Sequence, residues 1–319
     1  MSLFHVDEHD EYLAPSLVRL PTDRPFTRAE AEAVGVSKRE LAELISAKLI
    51  EHPIRGVFHA AGLDSLAMRV ACLRLVVPRD AVVTDRTAAW LHGAPHVLAP
   101  NDHLDVPRVQ IFLPPGRRLR NKLSASGERG FLARDLVEIE GLIVTSPLRT
   151  ACDLGRLLHR DQAIGALDSM VRAGLVSREE LIEEAGRFKG YRGVVRLRAI
   201  APLVDGRSQS QGESLLRLRW VDTGGLPAPE LQWRVRGPKG NYYLDLAVPR
   251  KRFGAEYDGE EFHGPEQEAD DAARRSWLRE QGGWIIVVAR RHNVHGPRQD
   301  IHEMLMRDYA EADRRSRES

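Results

Sequence analysis

Apolar positions along the chain switch between a spacing of three to four residues and a spacing of two, and the switches mark the elements. Thr27-Arg28-Ala29-Glu30 has the form of a capping box, with the Thr27 hydroxyl as N-cap and the Glu30 carboxylate reaching back. The helix it opens stops at Gly35. Ser37-Lys38-Arg39-Glu40 repeats the box, and Leu41, Leu44, Ile45 and Leu49 follow at helical spacing. Two helices joined around a glycine form a helix-turn-helix pattern. Leu49–His52 and Arg55–His59 then read as two short strands around Pro53, the wing of a winged helix.

Residues 65–77 return to helical spacing, and Thr84 to Leu91 predicts a short helix ended by Gly93. Val109–Leu113 is a strand stopped by Pro114-Pro115-Gly116, and Leu142–Thr145 is another. Ser146-Pro147 opens a helix holding Arg149, Cys152 and Leu154. Helices are expected over 161–173 and 177–186, the second behind a third capping box at Ser177–Glu180. The polar run Asp205–Gly212 reads as a linker. Beyond it the pattern predicts a helix over 214–221, strands over 230–235, 241–248 and 253–258, and a helix over 265–281. The latter is framed by Pro265 and Gly282-Gly283. A buried strand over 284–288 and a helix over 299–312 follow, with Trp277, Leu278 and Trp284 as core.

At about 100–200 residues per domain, 319 residues predict more than one domain. The divisions expected are 1–62, a winged helix with a polar tail; 63–204, a middle α/β domain; and 205–319. With 47 basic and 46 acidic residues the net charge is +1, which excludes a uniformly basic nucleic-acid coat but not local patches. Apolar residues at 42% are enough to bury a core. Cys72 and Cys152 have apolar neighbours and read as small buried hydrophobes, too few for a disulfide framework or a cysteine-rich zinc site. No apolar run approaches 18 residues, so no membrane partner is expected. The acidic first residues lack a hydrophobic signal core, which points to the cytoplasm.

A recognition helix enters the major groove by its N-terminal turn. Ser37, Lys38 and Arg39 stand there, with Arg55 on the wing. From residue 15 to 60, seven basic residues face six acids, a weak balance that also suits a protein contact. A stronger patch runs from 107 to 134. Seven bases, among them Arg117, Arg118, Arg120 and Lys122, stand against Glu128 alone. It suits phosphates, an acidic protein surface or a solvated loop equally. Residues 187–198 add five bases and no acid.

The C-terminal candidate chemistry is a set of carboxylates. Asp245 and Glu256 lie on successive predicted strands across a tight turn, and Glu256 and Asp258 share a face because strand side chains repeat every two residues. Crowded carboxylates repel unless a cation sits among them, and oxygen ligands suit Mg²⁺ or Mn²⁺. Glu213 on the preceding helix is a fourth acid, and His263 a candidate base, acid or phosphate contact. The plainer alternative makes Asp258-Gly259 a turn pair and ties Asp245 to Arg274 or Arg275. His292, His295 and His302 are spaced poorly for one metal site and read as surface.

Two resemblances join these motifs. Residues 27–175 resemble the AbiEi-type antitoxin family through FTRAEAEAVGVSKRELAELISAKLIEHPIRGVFH, DRTAAWLHG, LIVTSPLRTACDL and AIGALDSMVRAGLVS, in that order. The resemblance implies a winged helix before a mixed α/β domain, binding to the protein's own promoter, and neutralisation of a nucleotidyltransferase toxin. Residues 207–310 resemble the Vsr-like branch of the PD-(D/E)XK nuclease fold through YLDLAVP, FGAEYDGEEFH and DAARRSWLREQGGWIIVV. That resemblance implies a restriction-endonuclease-like α/β/α domain with a mixed sheet. Asp245 and Glu256 take its metal-ligand positions, with Glu213 as the helix acid. Where the broad family has lysine two residues after the glutamate, this chain has Asp258, which removes the usual cation that positions water.

The expected class is thus a multi-domain α/β protein. Its expected function is DNA binding with an Mg²⁺-dependent endonuclease domain. The alternative is an antitoxin and transcriptional regulator whose nuclease fold is catalytically inactive, with DNA and a nucleotidyltransferase-like toxin as partners.

Overall fold

The computed structural model describes residues 16–318 apart from 63, 95–105, 107, 118, 120–122, 128, 260–264 and 298. The chain divides into two compact units, Met1–Leu154 and Gly155–Ser319.

The first unit holds two sheets. At its start, β1 (Phe26–Thr27), α1 (Arg28–Ala33), α2 (Lys38–Ser46), β2 (Ile50–Ile54) and β3 (Val57–Ala60) form two helices and a three-stranded antiparallel sheet ordered β1-β3-β2. Both capping boxes form. Thr27 Oγ1 accepts from Glu30 N at 3.3 Å, and Ser37 Oγ accepts from Glu40 N at 3.2 Å, with each glutamate accepting from the cap amide. Phe26, Ala31, Val36, Leu44, Ile50 and Phe58 close a small core. Pro53, which has no N–H to donate, sits where the β2–β3 register shifts, on an edge strand.

The second sheet of this unit is mixed, ordered β6-β5-β4-β8-β7. Its strands are β4 (Val82–Val83), β5 (Val109–Phe112), β6 (Ser124–Gly127), β7 (Leu136–Ile139) and β8 (Leu142–Thr145). α3 (Leu66–Arg74) and α4 (Asp85–Leu91) pack on it, and Ile54 and Val57 of the preceding hairpin enter the same core. Gly56 at the hairpin tip has φ +79°, and a Cβ there would meet the Leu123 side chain at 2.9 Å. Cys72 and Cys152 are free and buried. α5 (Pro147–Leu157) carries the chain into the second unit.

That unit opens with α6 (Arg160–Arg172), α7 (Arg178–Glu184) and α8 (Val194–Ile200), followed by α9 (Gln211–Thr223). Its sheet, ordered β12-β11-β10-β9, comprises β9 (Glu230–Gly237), β10 (Gly240–Val248), β11 (Phe253–Tyr257) and β12 (Ile285–Ala289). β9, β10 and β11 are antiparallel, whereas β11 and β12 are parallel. α10 (Pro265–Glu280) supplies Trp277 and Leu278 to a core with Leu244, Ala247, Trp284 and Ile286. Trp220 of α9 and Tyr309 of α11 (Ile301–Glu318) meet Phe253 at 5.3 and 5.4 Å between ring centroids. Such aromatic pairs add about 0.5–1.5 kcal/mol beyond their buried area.

α9 is bound to α6 by charge. Arg217 donates to Asp168 Oδ2 at 2.6 Å, and both side chains are buried. Arg219 pairs with Asp161, and Arg160 grips Asp222 with both nitrogens at 2.5 and 2.7 Å. Among the described residues, no helix is long and apolar enough to cross a membrane.

Candidate functional sites

At the start of α2, Ser37 serves as the helix cap, while Lys38 and Arg39 are exposed in the first turn. Arg39 Nε lies 2.8 Å from Glu43. Glu40 accepts from Ser16 Oγ at 2.6 Å and from the Ser37 amide. These bonds, with Arg19 nearby, hold its carboxyl down at about 2. Arg55 is half-buried in the β2–β3 turn. Burial, with Arg28 and Arg55 close by, pushes the His52 imidazole down to about 4. Its neutral ring accepts from the Gly56 amide at 3.0 Å and stacks on Phe58. Arg117 is exposed and lies 3.1 Å from Asp80. Arg118, Arg120, Lys122 and His263 lie outside the described residues.

Asp85 of the DRTAAWLHG motif and Arg149 and Asp153 of the SPLRTACDL motif turn inward. Arg149 donates to Asp135 at 2.7 Å and, one helical turn away, to Asp153 at 3.0 Å. Arg129 bridges Asp153 at 3.0 Å and Asp85, gripping the latter with both nitrogens at 2.8 and 2.6 Å. Asp85 holds φ +54°, which costs an L-residue about 1–2 kcal/mol. It starts α4 and is repaid by the Arg129 pair and the Thr84 hydroxyl. Asp85, Asp135, Arg149 and Asp153 are all buried. Sequence reasoning missed this network. Its available signal was an arginine and an aspartate four apart inside an apolar helix.

In the second unit the predicted acids separate into two groups. A Cβ on Gly212 would collide with the Tyr257 ring at 2.0 Å, so glycine lets α9 approach β11 closely enough to set Glu213 beside Asp245. Gln232 lies between them, its Nε2 donating to Glu213 Oε2 at 2.9 Å and to Asp245 Oδ1 at 3.3 Å. The Tyr257 amide donates to Asp245 Oδ2 at 2.8 Å. Burial and the Glu213 charge push the Asp245 carboxyl up to about 7, and burial raises Glu213 too.

Glu256 goes elsewhere. Arg274 grips it with two nitrogens at 2.7 and 3.0 Å, and Arg275 Nε lies 3.2 Å away. Arg275 also donates to Asp258 at 3.2 Å, and Arg290 stands 3.8 Å from the same carboxylate. Arg274 and Arg275 therefore serve Glu256, not Asp245 as the turn-pair alternative has it. The cause of the split lies in β10. Leu244 and Ala247 enter one core cluster although they stand three positions apart, so the strand changes face between them. At the same level of β9, Gln232 holds φ +51°.

Two guanidiniums engage the Glu256 carboxylate, while Asp245 shares Gln232 with Glu213, so Asp245 and Glu256 have different hydrogen-bond partners. Among the described residues, no group of three His, Cys, Asp or Glu side chains is arranged to hold a metal.

Residues 80–203 match the family model described as the AbiEi antitoxin C-terminal domain. Two uncharacterized proteins of Mycobacterium tuberculosis, from strains CDC 1551 / Oshkosh and ATCC 25618 / H37Rv, are each 35% identical over 234 residues. The similarity spans 73% of this chain and 82% of theirs. The chain belongs to the family of these two proteins and carries an AbiEi antitoxin domain. The AbiEi segment runs from β4 to the turn after α8 and contains the whole Asp85–Arg129–Asp153–Arg149–Asp135 network. It also contains α6, with Asp161 and Asp168. It ends at residue 203, before Glu213 and the strands that carry the other acids.

Proposed function

We propose that this protein is an antitoxin of the type IV kind, binding duplex DNA through its N-terminal helices and hairpin and neutralising a nucleotidyltransferase-like toxin through its AbiEi segment. The AbiEi match over residues 80–203 carries the reading. The arrangement of α1, α2 and the β2–β3 hairpin supports a winged helix. Exposed Lys38 and Arg39 stand where such a helix meets base edges and phosphate. The C-terminal unit is read as a binding body rather than a cleaving one, because Arg274 and Arg275 neutralise Glu256.

The test is a mobility shift with duplex DNA from upstream of the protein's own gene, run beside Mg²⁺- and Mn²⁺-supplemented cleavage assays. Wild type is expected to shift the duplex without cutting it. Lys38→Ala/Arg39→Ala is expected to weaken binding about tenfold or more and to flatten its salt dependence. Metal-dependent cleavage that disappears in Asp245→Ala would overturn this reading in favour of an endonuclease.

A further inference from the structure

The β9–β10 hairpin leaves one of its faces uncovered. Trp233, Val235 and Tyr242 point into the core beneath α10. The alternate positions, Arg234, Arg236, Asn241 and Tyr243, are exposed. The register sets Arg234 directly opposite Tyr243, and Arg236 opposite Asn241. The four side chains thus form two adjacent rungs of one surface. Neither Arg234 nor Arg236 has an ion-pair or hydrogen-bond partner among the described residues, whereas most arginines of this unit are paired. Tyr243 keeps 49% of its surface in water. β9 is the last strand of its sheet.

We propose that this hairpin face binds single-stranded nucleic acid, with Arg234 and Arg236 on backbone phosphates and Tyr243 as a stacking platform for a base. Uncommitted guanidiniums beside an aromatic side chain on a twisted strand pair are the elements by which sequence-tolerant single-strand binders work. A duplex hides its base faces and offers Tyr243 nothing to stack on. An acidic protein would satisfy the arginines, but this face has no aliphatic anchor to accompany them. The surface lies outside both the AbiEi segment and the α2 helix, so it acts independently of the duplex contact proposed above.

The experiment uses the full chain and labelled oligothymidylate and oligouridylate of about 20 nucleotides, with the upstream duplex as a parallel probe. Arg234→Glu/Arg236→Glu is expected to weaken single-strand binding at least tenfold and to reduce its salt dependence, leaving the duplex shift unchanged. Tyr243→Ala is expected to cost about fivefold or more on the same oligonucleotides. Arg234→Gln/Arg236→Gln, which removes charge without reversing it, is expected to fall between wild type and the glutamate variant. Unchanged melting temperatures keep these results separate from misfolding. The proposal is overturned if wild type binds neither oligonucleotide, the outcome for arginines that only guard a sheet edge. It is equally overturned if single-strand binding survives the hairpin substitutions and is lost in Lys38→Ala/Arg39→Ala.

Discussion

Asp245 is half-buried beside Glu213, and its ionisation sets a pH dependence for the second unit. In the folded chain its proton is held up to about 7, against an ordinary value of 3.8. The folded state therefore binds the proton more tightly than the unfolded one. The stability that this supplies is full below pH 4 and is lost as pH rises towards 7, after which the curve is flat. Asp245→Asn keeps an oxygen for the Tyr257 amide and removes the charge. The variant is expected to exceed wild type in stability at pH 8, by on the order of 2 kcal/mol, and to match it near pH 4. Urea denaturation at the two pH values checks this, and equal stability at pH 8 would refute the crowding of Asp245 and Glu213. Composition and spacing pick out all four acids, because carboxylates near predicted strands are visible in a sequence. Their grouping is not visible. It depends on the change of face within β10 and on Gln232, an unremarkable residue by type whose left-handed backbone no local motif announces.

At the scale of elements, the α6–α9 contact rests on a buried ion pair. Arg217→Ala leaves Asp168 buried with the Asp205 amide, at 2.8 Å, but without its countercharge. A loss of about 3–5 kcal/mol is expected, read as a lower denaturation midpoint. Arg217→Met/Asp168→Leu, which removes both charges, is expected to recover much of it. Elements with local instructions are the ones the sequence displays. The boxes at Thr27, Ser37 and Ser177 each cap a helix within a residue of the expected start, because donor and acceptor lie three residues apart. The two-residue strands β1 and β4 carry no such signal. Phe26 and Val82 become strand residues only through Phe58, and through Phe112 and Ile143, far along the chain. β6 and β7 are likewise absent from the sequence reading. β6 follows a run of bases and pairs with β5, while β7 is set by a hairpin with β8.

For the molecule as a whole, the proposed duplex contact and the AbiEi segment use separate stretches of chain. Lys38 and Arg39 lie 42 and 41 residues before the start of the AbiEi match, in the same unit. Lys38→Ala/Arg39→Ala is therefore expected to lose repression of a promoter reporter while still restoring growth to cells expressing the partner toxin. Loss of both properties together would mean that DNA and toxin share a surface.

The salt links between α6 and α9 also bear on how such genes recombine. Residue 203 marks where the AbiEi match stops, yet the forces do not stop there. Arg217, Arg219 and Asp222, all beyond that point, hold Asp168, Asp161 and Arg160 before it. A chimera spliced at residue 203 would inherit three half-pairs, one of them a buried aspartate. Swaps between relatives should therefore survive when the junction falls after α9, or when both halves of each pair travel together.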